Sequence, residues 1–146
     1  MNQNQPVKLL LDECVGHPVV ADINQLLSWD TPTPIISHLF QYFLPGSKDE
    51  IWIPKVKDEG WIILTGDKGR NSREKLPQIC ASYKITHIIL SKAIHHQKQH
   101  QKAIAIVAVW EQIKDCNNAP KGTRFRLRLN NAGRPVIERV DLPTKT

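Results

Sequence analysis

Short apolar runs alternate with stretches of helical spacing along most of this 146-residue chain, and that alternation limits its fold more than any other feature. Lys8 to Leu11 reads as a buried strand ending at Asp12 and Glu13. Pro18 suits the first turn of a following helix, in which Val19, Val20, Ile23, Leu26 and Leu27 recur at helical spacing. Ile35 to Phe43 is an apolar, partly aromatic second strand closed by Pro45 and Gly46. Ser47 and Glu50 have the form of a capping box for a helix reaching about Glu59, with a kink or late start at Pro54. Trp61 to Leu64 is a compact strand running into Thr65, Gly66 and Asp67, and Thr86 to Leu90 repeats the pattern after a helix over Ser72 to Tyr83. A final helix carries Ala103, Ile104, Val107, Trp110 and Ile113 as its apolar face. Strands and helices in this order predict an α/β domain with a mainly parallel sheet covered on both faces.

The tail breaks the pattern. From Thr123 to Leu129, strict alternation sets Phe125, Leu127 and Leu129 on one face and Arg124, Arg126 and Arg128 on the other. Asn130 to Gly133 then turns the chain into Pro135 to Val140, which predicts a C-terminal β-hairpin over about 123–140. With no repeat and no dividing linker, one domain over residues 1–146 is expected.

Lys and Arg number 20 against 14 Asp and Glu, a net charge of +6, which suits a polyanionic partner. Cys14, Cys80 and Cys116 form no CxxC pair, so a reducing cytoplasm is the simplest setting. Neither the polar N-terminus nor the longest apolar run, Ala103 to Trp110, suits a signal peptide or a bilayer span, and no membrane role is expected.

In open parallel sheets, ligands sit beyond the carboxyl ends of the strands. Asp12 ends the first strand there, Asp67 ends the third, and Asp49 starts the intervening helix. Carboxylates gathered at one site repel one another, and a hard divalent cation with oxygen ligands keeps them ionised. Such a site suits phosphate chemistry, with basic residues holding the nucleic-acid backbone.

Leu9 to Glu13, then Asp49 and Glu50 before a helix, then Gly60 to Lys68 with its Thr65-Gly66-Asp67, together resemble the PIN-like nucleases, and in particular the small standalone VapC-type toxin group, over about residues 7–115. The resemblance implies a PIN-like three-layer α/β/α fold. It also implies a metal-dependent endoribonuclease with Mg²⁺ or Mn²⁺ held by Asp12, Asp49 and Asp67. Thr65 would be a supporting hydroxyl and Glu13 an extra ligand or an acid behind the ligands. A toxin of this group would act in the cytoplasm on RNA, be neutralised by a cognate antitoxin protein, and could pair as a homodimer.

No fourth acid follows closely, Glu74 lying on an expected helix and Asp115 far beyond, so a catalytically silent PIN-like module binding RNA or protein is the alternative. A phosphoacceptor receiver domain fits poorly, because Lys92 is adjacent to Ser91 where that fold needs a separate lysine-bearing strand. Lys68, Arg70 and Arg73, next to the third strand end, and the stripe of Arg124, Arg126 and Arg128 are candidate RNA-binding cations. His96 and His100 stand at chelating spacing with no evident third ligand, and with His95 they read as a solvated helix start. Trp29, Trp52, Trp61 and Trp110 are expected in the core.

Overall fold

A computed structural model describes residues 5–66 and 75–140. Strand β1 (Lys8–Leu11) leads into helix α1 (Pro18–Leu26), β2 (Ile35–His38), α2 (Asp49–Val56), β3 (Trp61–Gly66), α3 (Lys75–Ser82) and β4 (His87–Leu90). Three helices follow, α4 (Lys92–His95), α5 (Gln99–Ala108) and α6 (Trp110–Asn117), and then the hairpin strands β5 (Arg124–Leu129) and β6 (Pro135–Val140). The six strands form one sheet in the order β2-β1-β3-β4-β5-β6. Every neighbouring pair is parallel except β5 and β6. This is the mainly parallel α/β/α arrangement with a terminal hairpin that the sequence pattern predicts.

Side chains alternate across a strand, so each central strand feeds two cores. Leu9, Leu11, Ile62, Leu64, Ile88 and Leu90 pack on one face against residues of α1, α5 and α6, including Val19, Ile23, Ala103, Ile106 and Ile113. Leu10, Ile63 and Trp61 pack on the other face against Trp52, Ile53 and Val56 of α2 and Cys80 of α3. The chain steps from β3 to β4 and from β4 to β5 in the same direction, yet α3 returns on the second face while α5 and α6 return on the first. These two crossovers are therefore of opposite hand, an arrangement rare among βαβ units. Its consequence is local: the helices after β4 cover the face that carries Phe125, Leu127 and Leu129, and Arg124, Arg126 and Arg128 alternate onto the other.

Several boundaries depart from the sequence reading. The second strand stops at His38 rather than Phe43, because side chains there take the backbone out of the ladder. Phe40 N–H donates to His38 Nδ1 (3.1 Å) and His38 N–H to Gln41 Oε1 (3.1 Å), forming a 3₁₀ turn over Leu39–Gln41. The Ser47–Glu50 capping box is not made: Lys48 occupies the N-cap, and Ser47 Oγ instead donates to Leu44 O (2.7 Å). Pro54 lies inside α2, which ends at Val56 rather than near Glu59. The final helix breaks at Val109 (φ −109°, ψ 22°), and this offset rotates the buried face onto Lys102, Ala103, Ala105, Ile106 and Trp110, leaving Ile104 56% exposed. Trp29 is 68% exposed, while the other three tryptophans are buried.

The hairpin turn follows from its composition. Asn130 Oδ1 accepts from the amides of Ala132 (2.9 Å) and Arg134 (3.0 Å), and Gly133 takes φ +78°, which favours glycine. Among the described residues, no helix is long and apolar enough to cross a membrane.

Candidate active site

The sheet order reverses around β1. From there the chain steps one way to β2 through α1 on one face, and then back across to β3 through α2 on the other. The carboxyl ends of β1 and β3 therefore border a crevice flanked by helices on opposite faces, the usual place for a ligand in such sheets.

Asp12 is the first residue beyond β1. Its N–H donates to Leu64 O on β3 (2.9 Å) and its carbonyl accepts from Val15 N–H (2.9 Å), so the backbone holding this carboxylate is tied on both sides. Cys14 Sγ lies 3.4 Å from Asp12 Oδ2 and accepts from Gly66 N–H (3.3 Å), a second link between the two strand ends. Glu13 is exposed, and its Oε1 accepts from Gly46 N–H (3.3 Å) in the loop before α2.

Asp49 is the first residue of α2, where an acid is favoured by the free amides and the helix dipole. The buried Trp52 donates its indole N–H to Asp49 Oδ1 (3.0 Å) and fixes that carboxylate. Burial raises the Asp49 pKa, the negative charge of Asp12 raises it further, and Glu50 and Glu13 add to this, against the Trp52 hydrogen bond. The same charges reach the buried Cys80, whose thiol is pushed up to about 12 by burial first and then by Asp49 and Asp12. Asp12 and Asp49 thus share one electrostatic site, and their repulsion is what a bound cation would relieve.

Thr65, near the end of β3, is buried, and its Oγ1 lies 2.7 Å from His87 Nε2 on β4. Burial, and then the positive charge of Arg124 at the paired position on β5, push the His87 imidazole down to about 3, so the ring is neutral. On the opposite face, Gly66 is packed so closely that a Cβ there would lie 2.1 Å from His95 Nδ1. His95 ends α4 whereas His96 and His100 fall at and beyond its end, so these three do not share one helix face.

The structure therefore brings Asp12, Glu13, Asp49 and Thr65 to one edge. Asp67 and the candidate cations Lys68, Arg70 and Arg73 lie outside the described residues. Arg124, Arg126 and Arg128 stand on β5, separated from β3 by β4, with Arg128 ion-paired to Glu138 across the hairpin. Among the described residues, no group of three or more His, Cys, Asp or Glu could by itself hold a metal ion. Sequence reasoning gave Cys14 and His95 no place at this site and missed His87. His87 alone left a signal, as a histidine in the otherwise apolar run Ile88-Ile89-Leu90.

A family model described as a PIN like domain matches residues 7–92, a span that contains Asp12, Asp49, Thr65, Asp67 and His87. No curated protein and no solved structure matches the chain.

Proposed function

The chain belongs to the PIN-like domain family, and on that premise we propose that it is a metal-dependent endoribonuclease whose acidic site is built on Asp12, Asp49 and Asp67. The observation that carries this reading is the coupling of Asp12 to Asp49: at the switch point of the sheet, the charge of a carboxylate at one strand end raises the cost of ionising a carboxylate on a separate helix. An all-oxygen donor set of this kind fits Mg²⁺ or Mn²⁺. When bound, such an ion supplies Lewis acidity toward a phosphoryl oxygen and acidifies water.

The chain's own residues do the rest. The Asp12 backbone, tied to Leu64, and the Asp49 carboxylate, held by Trp52, keep the two acids in place before any ligand arrives. Preset geometry of this kind lowers the reorganisation needed during reaction. Thr65 contributes a hydroxyl at the same edge, and Glu13 an acid beside the loop entering α2. Lys68, Arg70, Arg73 and the β5 arginines Arg124, Arg126 and Arg128 supply cations for an RNA backbone, in keeping with the net charge of +6.

In the same reading the protein is the toxin of a VapC-type pair, acting in the cytoplasm, with a partner antitoxin covering the acidic edge. This role rests on the resemblance of Leu9 to Glu13 and Gly60 to Lys68 to that group. Growth arrest on induced expression, lost in Asp12→Asn, is its test.

The test of the enzyme reading is cleavage of total RNA and tRNA by the purified protein with Mn²⁺ or Mg²⁺, beside Asp12→Asn and an EDTA control. Cleavage that disappears in both controls supports the nuclease. Folded protein that binds Mn²⁺ and cleaves none of these substrates would replace it with a silent RNA- or protein-binding module.

A further inference from the structure

A histidine buried in the middle of a parallel sheet is an expensive choice where its strand neighbours are Ile88, Ile89 and Leu90. His87 makes one side-chain hydrogen bond, to Thr65 Oγ1 at 2.7 Å, and its Nδ1 is buried with no hydrogen-bond partner among the described residues. An unpartnered buried polar atom calls for an explanation other than stability.

The two neutral tautomers differ sharply here. With the proton on Nδ1, a buried N–H would lack an acceptor and would stand beside the cationic Arg124, its register partner on β5. With the proton on Nε2, the bare lone pair of Nδ1 lies in the field of that cation, and Nε2–H donates to Thr65 Oγ1. The second arrangement leaves less unsatisfied and is favoured electrostatically. A hydroxyl whose oxygen accepts from His87 has its own proton left to give. Thr65 lies on the sheet face packed by α2, the helix that opens with Asp49, and one residue short of the end of β3.

We propose that His87 is a positioning residue of the acidic site: its Nε2–H holds Thr65 Oγ1 and commits the Thr65 hydroxyl to donate toward a carboxylate at the carboxyl edge of the sheet. Arg124 takes part by fixing the tautomer, which gives one of the β5 arginines a role apart from RNA contact. The inference rests on the reading of that edge as a carboxylate metal site.

The experiment has three arms. Long-range ¹⁵N NMR of the histidine rings in the native protein reads the tautomer directly. The expected result is Nε2–H, and an Nδ1–H ring overturns the proposal without any variant. Mn²⁺ binding and RNA cleavage are then measured for His87→Leu, Thr65→Val and the double variant. Each single change is expected to lower kcat by about 10-fold with KM for RNA unchanged, and the double change to cost no more than either alone, since two residues acting through one hydroxyl are not additive. Independent losses that multiply to about 100-fold contradict it. His87→Gln, which keeps a donor nitrogen, should restore most of the activity lost in His87→Leu. A Gln variant as impaired as Leu, at equal Tm, also counts against it. Native protein that neither binds Mn²⁺ nor cleaves RNA overturns the site reading itself and this role with it, whatever tautomer is seen.

Discussion

The negative charge of Asp12, at the end of β1, raises the pKa of Asp49, the first residue of α2. Neither residue is unusual alone, since one ends a strand and the other sits where helix N-termini favour acids. Their coupling across the switch point turns two ordinary positions into one site.

Replacing Asp49 with Asn removes this repulsion and keeps an oxygen to accept from Trp52. Metal-free Asp49→Asn is expected to melt no lower than the native protein at pH 7. Mn²⁺ at about 100 times its Kd should stabilise the native protein by about 2.7 kcal/mol, and the variant by much less. Equal metal-induced shifts in a thermal melt would remove Asp49 from the ligand set.

Asp12→Asn should lower Mn²⁺-dependent cleavage by about 100-fold or more, the scale of losing a group that acts on developing charge. The fold should survive, because the ties at this position, to Leu64 and Val15, are made by the backbone. Circular dichroism and a gel-based cleavage assay on one preparation check both statements.

Asp30 tests stability away from the site. It is buried, and burial alone would raise its pKa, but hydrogen bonds from Trp110 Nε1 (2.7 Å), Lys114 Nζ (3.0 Å) and the Thr31 amide hold it below the ordinary 3.8. A lowered carboxyl pKa gives stability that is present above 3.8 and is lost as pH falls through the folded value. Trp110→Phe should therefore destabilise the protein by about 1–3 kcal/mol at pH 7, with the difference from native shrinking in acid. Urea denaturation at several pH values measures it, and a pH-independent difference would deny the link.

Gly66→Ala would set a methyl 2.1 Å from His95 Nδ1. Overpacking of this kind costs about 1–3 kcal/mol. Adding His95→Ala should recover most of the lost Tm, and failure to recover it would place the conflict elsewhere.

If β5 tracks an RNA backbone, Arg126→Ala should weaken binding of single-stranded RNA. It should also reduce the slope of log K against log salt by about 0.7, the share of one phosphate contact. An unchanged slope in a fluorescence titration would assign Arg126 to the hairpin alone, beside its register partner Glu138.

Local chemistry was readable in the sequence because it needs only near neighbours. Apolar runs placed the strands, Pro18 the start of α1, Asn130 and Gly133 the hairpin turn, and the strand-end position of Asp12 the candidate site. The misjudged elements are those where side chains or distant packing overrule the local pattern. His38 and Gln41 end β2 early, and the break at Val109 rotates α5 so that Ile104 faces outward. Tertiary structure alone decided the strand order, the opposite-handed crossover that leaves β5 its arginine face, the charge coupling of Asp12 to Asp49, and the pairing of Thr65 with His87. Each joins residues far apart in the chain. Periodicity states which face of an element is apolar, but only the packing of all the faces together settles which elements become neighbours.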